Sequence, residues 1–157
     1  MDRLDQHFLR EAFRIAREAR DRGDQPFGSL LVGPGREALF EAHDAVLTQR
    51  DALAHADMNL LRKAGAALAP DVLRRCTLYS SAEPCAMCSG AIFWSGVGRV
   101  VFGLGTAKLN EMLGTAAEHP RLAIPCRGIL ALGRPFVEVT VPLFQAEAME
   151  AHADYWT

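Results

Sequence analysis

The alternation of hydrophobic and polar residues predicts helices and strands along most of the chain. Hydrophobic residues recur near a helical period in the first segment, at Leu4, Phe8, Phe13, Ile15, Ala16 and Ala19. Gly23 follows that segment and marks where the helix ends. The stretches PFGSLLVG and EALFEAHDAV then predict two strands, because the turn signal Gly33-Pro34-Gly35 separates them. A helix followed by a hairpin therefore opens the fold.

Helices and strands continue to alternate after the hairpin. In chain order the pattern predicts a helix over 51–68, a strand over 76–80, a helix from Pro84 to about Gly96, a strand at RVVFG, a short helix over 108–113, a strand at FVEVTV and a terminal helix over 145–155. This order predicts an α/β fold with a mixed sheet covered on both faces. No repeat or linker interrupts it, so residues 1–157 are expected to form one domain.

Composition and charge narrow the set of partners. Half of the 157 residues are hydrophobic and the formal net charge is −2, with no block of five like charges. A domain that grips nucleic acid usually carries a basic face, so the composition argues against a nucleic-acid partner. The N-terminal segment is charged, and no run of 18 apolar residues predicts a membrane span. We therefore expect a cytoplasmic protein, in which four cysteines are thiols or metal ligands rather than disulfides.

Two cysteines and a histidine form the most specific chemical pattern. Cys85 and Cys88 stand three positions apart at the start of a predicted helix, so they share one face near a helix end that favours thiolates. His55 stands near the start of another predicted helix. Two sulfurs and one nitrogen suit tetrahedral zinc, and three protein ligands leave a position for water, which is typical of catalytic zinc.

The same residues allow a plainer interpretation. Cys-x-x-Cys alone is compatible with a core pair or a redox motif, and His55 with a surface histidine. The sequence His-Ala-Asp, followed later by Pro-Cys-x-x-Cys, favours the zinc site, because His-x-Glu followed by Pro-Cys-x-x-Cys is the signature of zinc deaminases.

On these residues the chain resembles the cytidine and deoxycytidylate deaminase superfamily, in the branch of guanine, cytosine and tRNA adenosine deaminases. The resemblance is carried by PFGSLLV, AHADMNLLRKA, LYSSAEPCAMCSGAIFWSGVGRVVFG and the acidic tail, and is greatest to small nucleoside and guanine deaminases of bacteria. It implies a three-layer α/β/α sandwich with a central mixed five-stranded sheet. It also implies a homodimer and a zinc ion held by His55, Cys85 and Cys88.

The resemblance further implies a hydrolysis that releases ammonia. The acid at position 57 would take a proton from zinc-bound water and deliver it to the ring nitrogen and the departing ammonia. The substrate would be a free nucleobase, a nucleoside or a related amino-heterocycle, guanine-like or cytosine-like. His55 and Asp57 point to nearly opposite sides of a regular helix, so they converge only if His55 lies in the cap region.

The proton-shuttling acid departs from the family pattern. The family has glutamate, whereas Asp57 is shorter by one carbon–carbon bond, about 1.5 Å. Three interpretations stay open: a helix closer to the metal lets Asp57 work, the acid is weakened, or the site binds a ligand without turnover. Glu83 is the other acid nearby, and we expect it to be structural at the start of its helix.

The expected substrate contacts also contain a departure. Asp44 stands where the family commonly places an asparagine that touches substrate, and an ionised aspartate only accepts hydrogen bonds. It should favour a substrate edge rich in N–H or O–H donors, unless it is a solvated residue at a strand end. The resemblance implies further contacts from Phe27, Ala56, Trp94 and Trp156, with Tyr155 and Trp156 as a lid.

Two other functions remain open on the sequence alone. One is a deaminase of adenosine in tRNA or another nucleic acid, which must unstack its base and hold the backbone with cations. The other is a catalytically weakened member of the fold that only binds its ligand.

Overall fold

Five strands form one mixed sheet in the computed structural model, which describes residues 1–115 and 119–156. The strands are β1 (Gly28–Val32), β2 (Ala38–His43), β3 (Thr77–Ala82), β4 (Arg99–Leu104) and β5 (Glu138–Val139), in the order β2-β1-β3-β4-β5. β1 is antiparallel to β2 and β3, whereas β3, β4 and β5 are parallel. The predicted mixed five-stranded sheet is confirmed.

Helices cover both faces of this sheet. They are α1 (Arg3–Asp21), α2 (Val46–Gln49), α3 (Ala56–Ala67), α4 (Pro70–Leu73), α5 (Ala86–Ser95), α6 (Thr106–Leu113), α7 (Cys126–Leu130) and α8 (Gln145–Met149), with a 3₁₀ turn at Glu150–His152. α1 and α8 pack on one face, and α3 and α5 pack on the other. The predicted three-layer α/β/α sandwich is therefore confirmed.

α1 forms where the sequence predicts it and lies very close to the sheet. Asp2 and Asp5 form a reciprocal capping box at its start, and Gly23, with a φ of 95°, follows its end. A Cβ atom at Gly28 would lie 2.5 Å from the backbone nitrogen of Ala16. Only glycine therefore allows β1 to approach α1 this closely.

The strand register brings three chain segments to one edge of the sheet. Gly28 at the start of β1 lies opposite His43 at the end of β2, and Ser29 lies opposite Ser80 near the end of β3. The segments that carry Phe27, Asp44 and the Pro-Cys-x-x-Cys motif are continuous with these ends, so they meet at the carboxyl edge of β3. In open α/β sheets, ligands bind at such an edge.

Two predicted helices differ more than the others from the bounds found in the structure. The helix predicted from Asp51 begins only at Ala56, because Asp51 instead forms a turn in which its carboxylate accepts a hydrogen bond from Leu53 N at 2.9 Å. The terminal helix ends at Met149 and continues as a 3₁₀ turn, after which Asp154 adopts a φ of 59°. The prediction of helix through Tyr155 is therefore wrong.

Three short helices were not predicted, namely α2, α4 and α7. Each spans four or five residues, which is too short for a hydrophobic period to be recognised. No helix within 1–115 and 119–156 has the length and apolar character needed to cross a bilayer.

Candidate active site

His55 is the N-cap residue of α3, and this position decides where its side chain points. Its backbone is extended, with φ −64° and ψ 153°, so the 100° spacing of helical residues does not apply to it. The side chains of His55 and Asp57 can therefore converge on one site, as expected for a histidine in the cap region. The amide of Asn59 donates to the carbonyl oxygens of His43, at 3.0 Å, and Ala54, at 3.1 Å, which ties the segment before His55 to the end of β2.

The histidine and the two cysteines form one compact group. Cys85 is the N-cap of α5 and Cys88 lies in its first turn, so both sulfurs face the same side. The Nδ1 atom of His55 lies 3.6 Å from each sulfur, and the three ligand atoms lie within 4.8 Å of one another. α3 and α5 thus present their N-termini to one point.

These three residues fit a zinc ion. Zn–S bonds of about 2.3 Å and Zn–N bonds of about 2.05 Å at a tetrahedral angle place nitrogen and sulfur about 3.6 Å apart. The observed separations of 3.6 Å match that value without any rearrangement. A donor set of one imidazole and two thiols favours zinc over harder cations such as magnesium.

The thiols are prepared for a metal by their surroundings. The pKa of Cys85 is lowered to about 4, chiefly by the hydrogen bond from Cys88 and then by the one with His55. The pKa of Cys88 is raised, because its thiol serves Cys85 as donor and is itself buried. The hydrogen bond with Cys85 raises the pKa of His55. Cys85 is thus the sulfur that loses its proton more readily, and the thiolate is the form of cysteine that binds a metal.

Asp57 lies in the first turn of α3, beside the histidine–cysteine group. Its side chain is buried, and it lines the same cavity as His55, Cys85 and Cys88. Burial raises its pKa to about 7, and the hydroxyl of Ser80 partly offsets that increase. A carboxyl group with a pKa near neutrality can both accept and give up a proton, as a general acid–base must.

Glu83 has a different role from Asp57. Its Oε2 atom accepts a hydrogen bond from the backbone of Thr106 and its Oε1 atom accepts one from Cys126, both at 2.8 Å. One carboxylate therefore holds the first residues of α6 and α7 together, which agrees with the structural role expected for this acid.

A cavity of about 300 Å³ opens above the histidine–cysteine group. Four of the five expected substrate contacts line it, namely Phe27, Asp44, Ala56 and Trp156. Its floor is polar and its walls are largely aromatic and aliphatic, which suits a flat heterocycle with a few polar groups.

Asp44 contributes a buried carboxylate to this cavity. Its backbone N–H donates to Phe27 O, and its Oδ1 atom accepts a hydrogen bond from Val46 N, both at 3.0 Å. Burial raises the pKa of Asp44 to about 6, so the group is largely ionised above pH 7. It is a wall residue of the cavity rather than a solvated residue at a strand end.

Trp156 closes one side of the cavity of its own chain. Its indole N–H donates to Nδ1 of His152 at 3.0 Å, and its ring lies 6.0 Å from the ring of Phe27 and 5.2 Å from that of His119. Burial lowers the pKa of His152 to about 4, so this histidine is neutral and can accept that hydrogen bond. Tyr155 packs on Trp156 from outside the cavity wall.

The expected place of Trp94 in the cavity wall is wrong. The described residues that line the cavity do not include it; its side chain is 84% exposed and packs edge-on against Phe93. Trp94 follows Cys88 by six positions on α5, a rotation of about 600°, which turns it well away from the metal side.

Other cavity residues were missed by the sequence analysis. They include Gln25, Asn110, His119 and Arg121. One of them had a usable signal, because Thr106, Leu109, Asn110 and Leu113 recur with helical spacing and share the cavity face of α6. The other three lie in loops, where no period exists.

Comparison with known proteins agrees with this geometry. Residues 2–104 match the profile described as the cytidine and deoxycytidylate deaminase zinc-binding region. The chain belongs to the cytidine and deoxycytidylate deaminase family. It is therefore a deaminase, a hydrolase acting on C–N bonds, and His55, Cys85 and Cys88 are the group that could hold the zinc of that region.

Relatives of this deaminase differ in substrate. It is 38% identical over 152 residues to a probable cytosine deaminase of Schizosaccharomyces pombe, covering 95% of this chain and 90% of the relative. It is 39% identical over 99 residues to a tRNA-specific adenosine deaminase of Bacillus subtilis, covering 63% and 61%. The structure of a guanine deaminase from Nitrosomonas europaea superposes with a TM-score of 0.76 at 27% identity, covering 94% and 82%. The family is thus shown, whereas the relatives leave the substrate open.

Proposed function

We propose that this deaminase hydrolyses the amino group of a free nucleobase, a nucleoside or a related amino-heterocycle, guanine-like or cytosine-like, and releases ammonia. The observation that carries the proposal is the cavity of about 300 Å³, which has the histidine–cysteine group and Asp57 at its floor and aromatic rings on its walls. Its size is at the lower end of the range for small-molecule sites. In this proposal residues 1–157 act as one zinc-dependent domain.

Asp57 moves the protons of the proposed reaction. Zinc held by His55, Cys85 and Cys88 would supply an activated water, because zinc lowers the pKa of bound water to about 7. Asp57 takes the proton that the attacking water loses and delivers it to the ring nitrogen beside the amino-bearing carbon. Asp57 then takes the remaining proton of the added hydroxyl and delivers it to the amino nitrogen, the bond between carbon and that nitrogen breaks, ammonia leaves, and the ring carbon retains the oxygen as a carbonyl.

The cavity walls orient the substrate in this proposal. Phe27 and Trp156 offer aromatic surface to a flat ring, and water is excluded where they meet it. Asp44 accepts a hydrogen bond from an N–H or O–H group at the substrate edge. The amino-bearing carbon then faces Asp57 and the metal side.

A tRNA adenosine deaminase is the second candidate, since tRNA-specific relatives exist. Such an enzyme needs cationic groups along the nucleic-acid backbone. Arg121 is the one lysine or arginine among the described cavity residues, and the formal net charge is −2. Both observations favour a small substrate over tRNA.

Product analysis distinguishes the two candidates. Zinc-loaded protein is incubated separately with free bases, nucleosides and a tRNA transcript, and the products are identified by mass spectrometry. The proposal expects deaminated small heterocycles and intact adenosine in tRNA. Deamination restricted to tRNA would contradict it.

Asp44 is expected to select among small substrates. Asp44→Asn adds a hydrogen-bond donor. The kcat/KM of substrates that present a carbonyl at this edge should therefore rise relative to that of substrates that present only N–H groups. The ratio of their kcat/KM values should change by about 10-fold or more. Asp51→Asn is the matched control, because Asp51 also accepts a backbone hydrogen bond from the residue two positions later. An unchanged ratio in Asp44→Asn would show that Asp44 does not touch the substrate.

A homodimer is part of the same proposal. Trp94 is 84% exposed and packs edge-on against Phe93, and Leu132, which is 86% exposed, precedes Gly133, the residue that lies against the Phe93 ring. Exposed apolar surface of this kind marks interaction sites. Sedimentation velocity should show a dimer for the parent and a monomer for Trp94→Glu, whereas equal masses would contradict pairing through this face.

The four cysteines, all free thiols, are in keeping with the cytoplasmic location that we also propose.

A further inference from the structure

Four buried side-chain polar atoms in the described residues have no hydrogen-bond partner. One of them, Oδ1 of Asp57, belongs to the candidate active site, and another is Oγ of Ser29 on β1. A buried polar atom without a partner destabilises the fold and usually has a functional explanation. Ser29 is also the only hydroxyl in the strand GSLLV, whose residues are all buried.

Ser29 has a second serine directly opposite it. Ser29 on β1 and Ser80 on β3 are register partners, and residues directly opposite on antiparallel strands project from the same face. Leu31 and Leu78, two positions along each strand, pack in the core cluster with Leu60 of α3. The two serines therefore face the helical layer that carries Asp57.

Asp57 lies on the sheet-facing side of α3, because it is buried together with Leu60, three positions later, which packs in the core cluster. Asp57 and Ser80 also line the same cavity. The Oδ1 atom is sealed from solvent, although Asp57 as a residue lines the cavity. The carboxylate thus has one oxygen on the sheet side and the other on the cavity side.

We propose that Ser29 and Ser80 form a seat for Asp57 and are positioning residues for the reaction. Oδ1 of Asp57 and Oγ of Ser29 are unpaired among the residues that the structure describes; in the zinc-loaded enzyme the two hydroxyls turn to donate to Oδ1 and fix the carboxylate plane, so that Oδ2 meets the reacting atoms. This inference rests on the proposed function, in which Asp57 is the acid–base. It also gives a physical reason why a short acid works here, since about 1 Å of misplacement can lower a rate about 10²-fold.

Kinetics of single variants give the first test. With zinc bound, Ser29→Ala and Ser80→Ala should each lower kcat about 10-fold or more, while KM changes less than about twofold. Ser81→Ala is the matched control: this neighbouring strand serine projects from the opposite face and accepts a hydrogen bond from Gly28 N at 3.0 Å. Its kcat should stay within about twofold of the parent even though its melting temperature falls.

A melting-temperature cycle gives a test without turnover. Ser29→Ala should lower the Tm of the zinc-loaded parent by about 3 °C or more, because a hydrogen bond to the carboxylate is lost. The same change in an Asp57→Ala background should lower Tm by less than about 1 °C. A hydroxyl that merely lacks a partner would behave oppositely, since removing it would leave Tm unchanged or raise it.

Both results are required for the inference. A fall in kcat without coupling in Tm would mean that Ser29 acts on the substrate directly, and coupling in Tm with an unchanged kcat would mean a purely structural contact; either overturns the proposal. Absence of turnover in the parent would instead refute the proposed function, and the Tm cycle would then decide alone whether the seat exists.

Discussion

Asp57→Ala should lower kcat by about 10²–10⁴-fold while zinc remains bound. Among the described residues that line the cavity, Asp57 is the one acid beside the histidine–cysteine group whose carboxyl is free to exchange a proton. Asp44 accepts a backbone hydrogen bond with Oδ1 and lies at the wall, and both oxygens of Glu83 are occupied by helix N-termini. Steady-state kinetics combined with metal analysis of the same sample measures the effect.

The control for this change is an acid far from the cavity. Asp71 has a side chain that is 81% exposed, so Asp71→Ala should keep the parent kcat. A rate for Asp57→Ala within about threefold of the parent would show that another group carries the proton. In that case Glu83→Gln would be the next variant to measure.

Replacement of a metal ligand should remove zinc altogether. His55→Ala, Cys85→Ala and Cys88→Ala each leave two of three protein donors, and loss even of residues that only orient ligands weakens metal binding about 10–100-fold. We expect about one zinc ion per chain in the parent and background levels in each variant after dialysis, measured by plasma mass spectrometry. Turnover should be lost with the metal.

Cys76→Ala is the matched control for the ligand variants. Cys76 is a buried free thiol whose Sγ atom contacts Val72 O at 3.3 Å, and it lies outside the histidine–cysteine group. This variant should keep its zinc. Full zinc content in all three ligand variants would refute the assignment of the site.

The hairpin and the long helix could be predicted because their signals are periodic and local. The stripe of α1 and the turn at Gly33-Pro34-Gly35 each arise from neighbouring residues, and the structure follows both. The start of α3 could not be predicted, because Asp51 lies in a hydrophobic period yet its carboxylate closes a turn instead. Competition between a side chain and the helix for the same N–H groups is invisible to periodicity.

The metal group could be predicted because its residues sit at helix starts with fixed spacing. The convergence of His55 with Asp57 depended on a cap position, and the structure has His55 in that position. Trp94 shows that a motif alone does not tell which side of a helix a residue occupies. It is close to the site along the chain, but the rotation of the helix turns it away from the cavity.

The seat of Ser29 and Ser80 depends on tertiary structure alone. The two serines are far apart in the chain and meet only through strand register, and α3 brings Asp57 to them. A single sequence offers no signal for such a contact. The sequence likewise offers no signal for the loop residues His119 and Arg121, which also line the cavity.

Ammonia release tests the central claim most directly. The unmodified, zinc-loaded protein is incubated with guanine, cytosine, adenine, isocytosine, pterins, aminotriazines and their nucleosides, with metal-free protein and Asp57→Glu alongside. We predict that the unmodified chain releases ammonia from at least one of these compounds, that the release depends on zinc, and that its amount matches the substrate consumed. This result would show that the short acid is sufficient for catalysis. If the unmodified chain releases no ammonia and Asp57→Glu does, the claim that Asp57 is a working proton shuttle is contradicted.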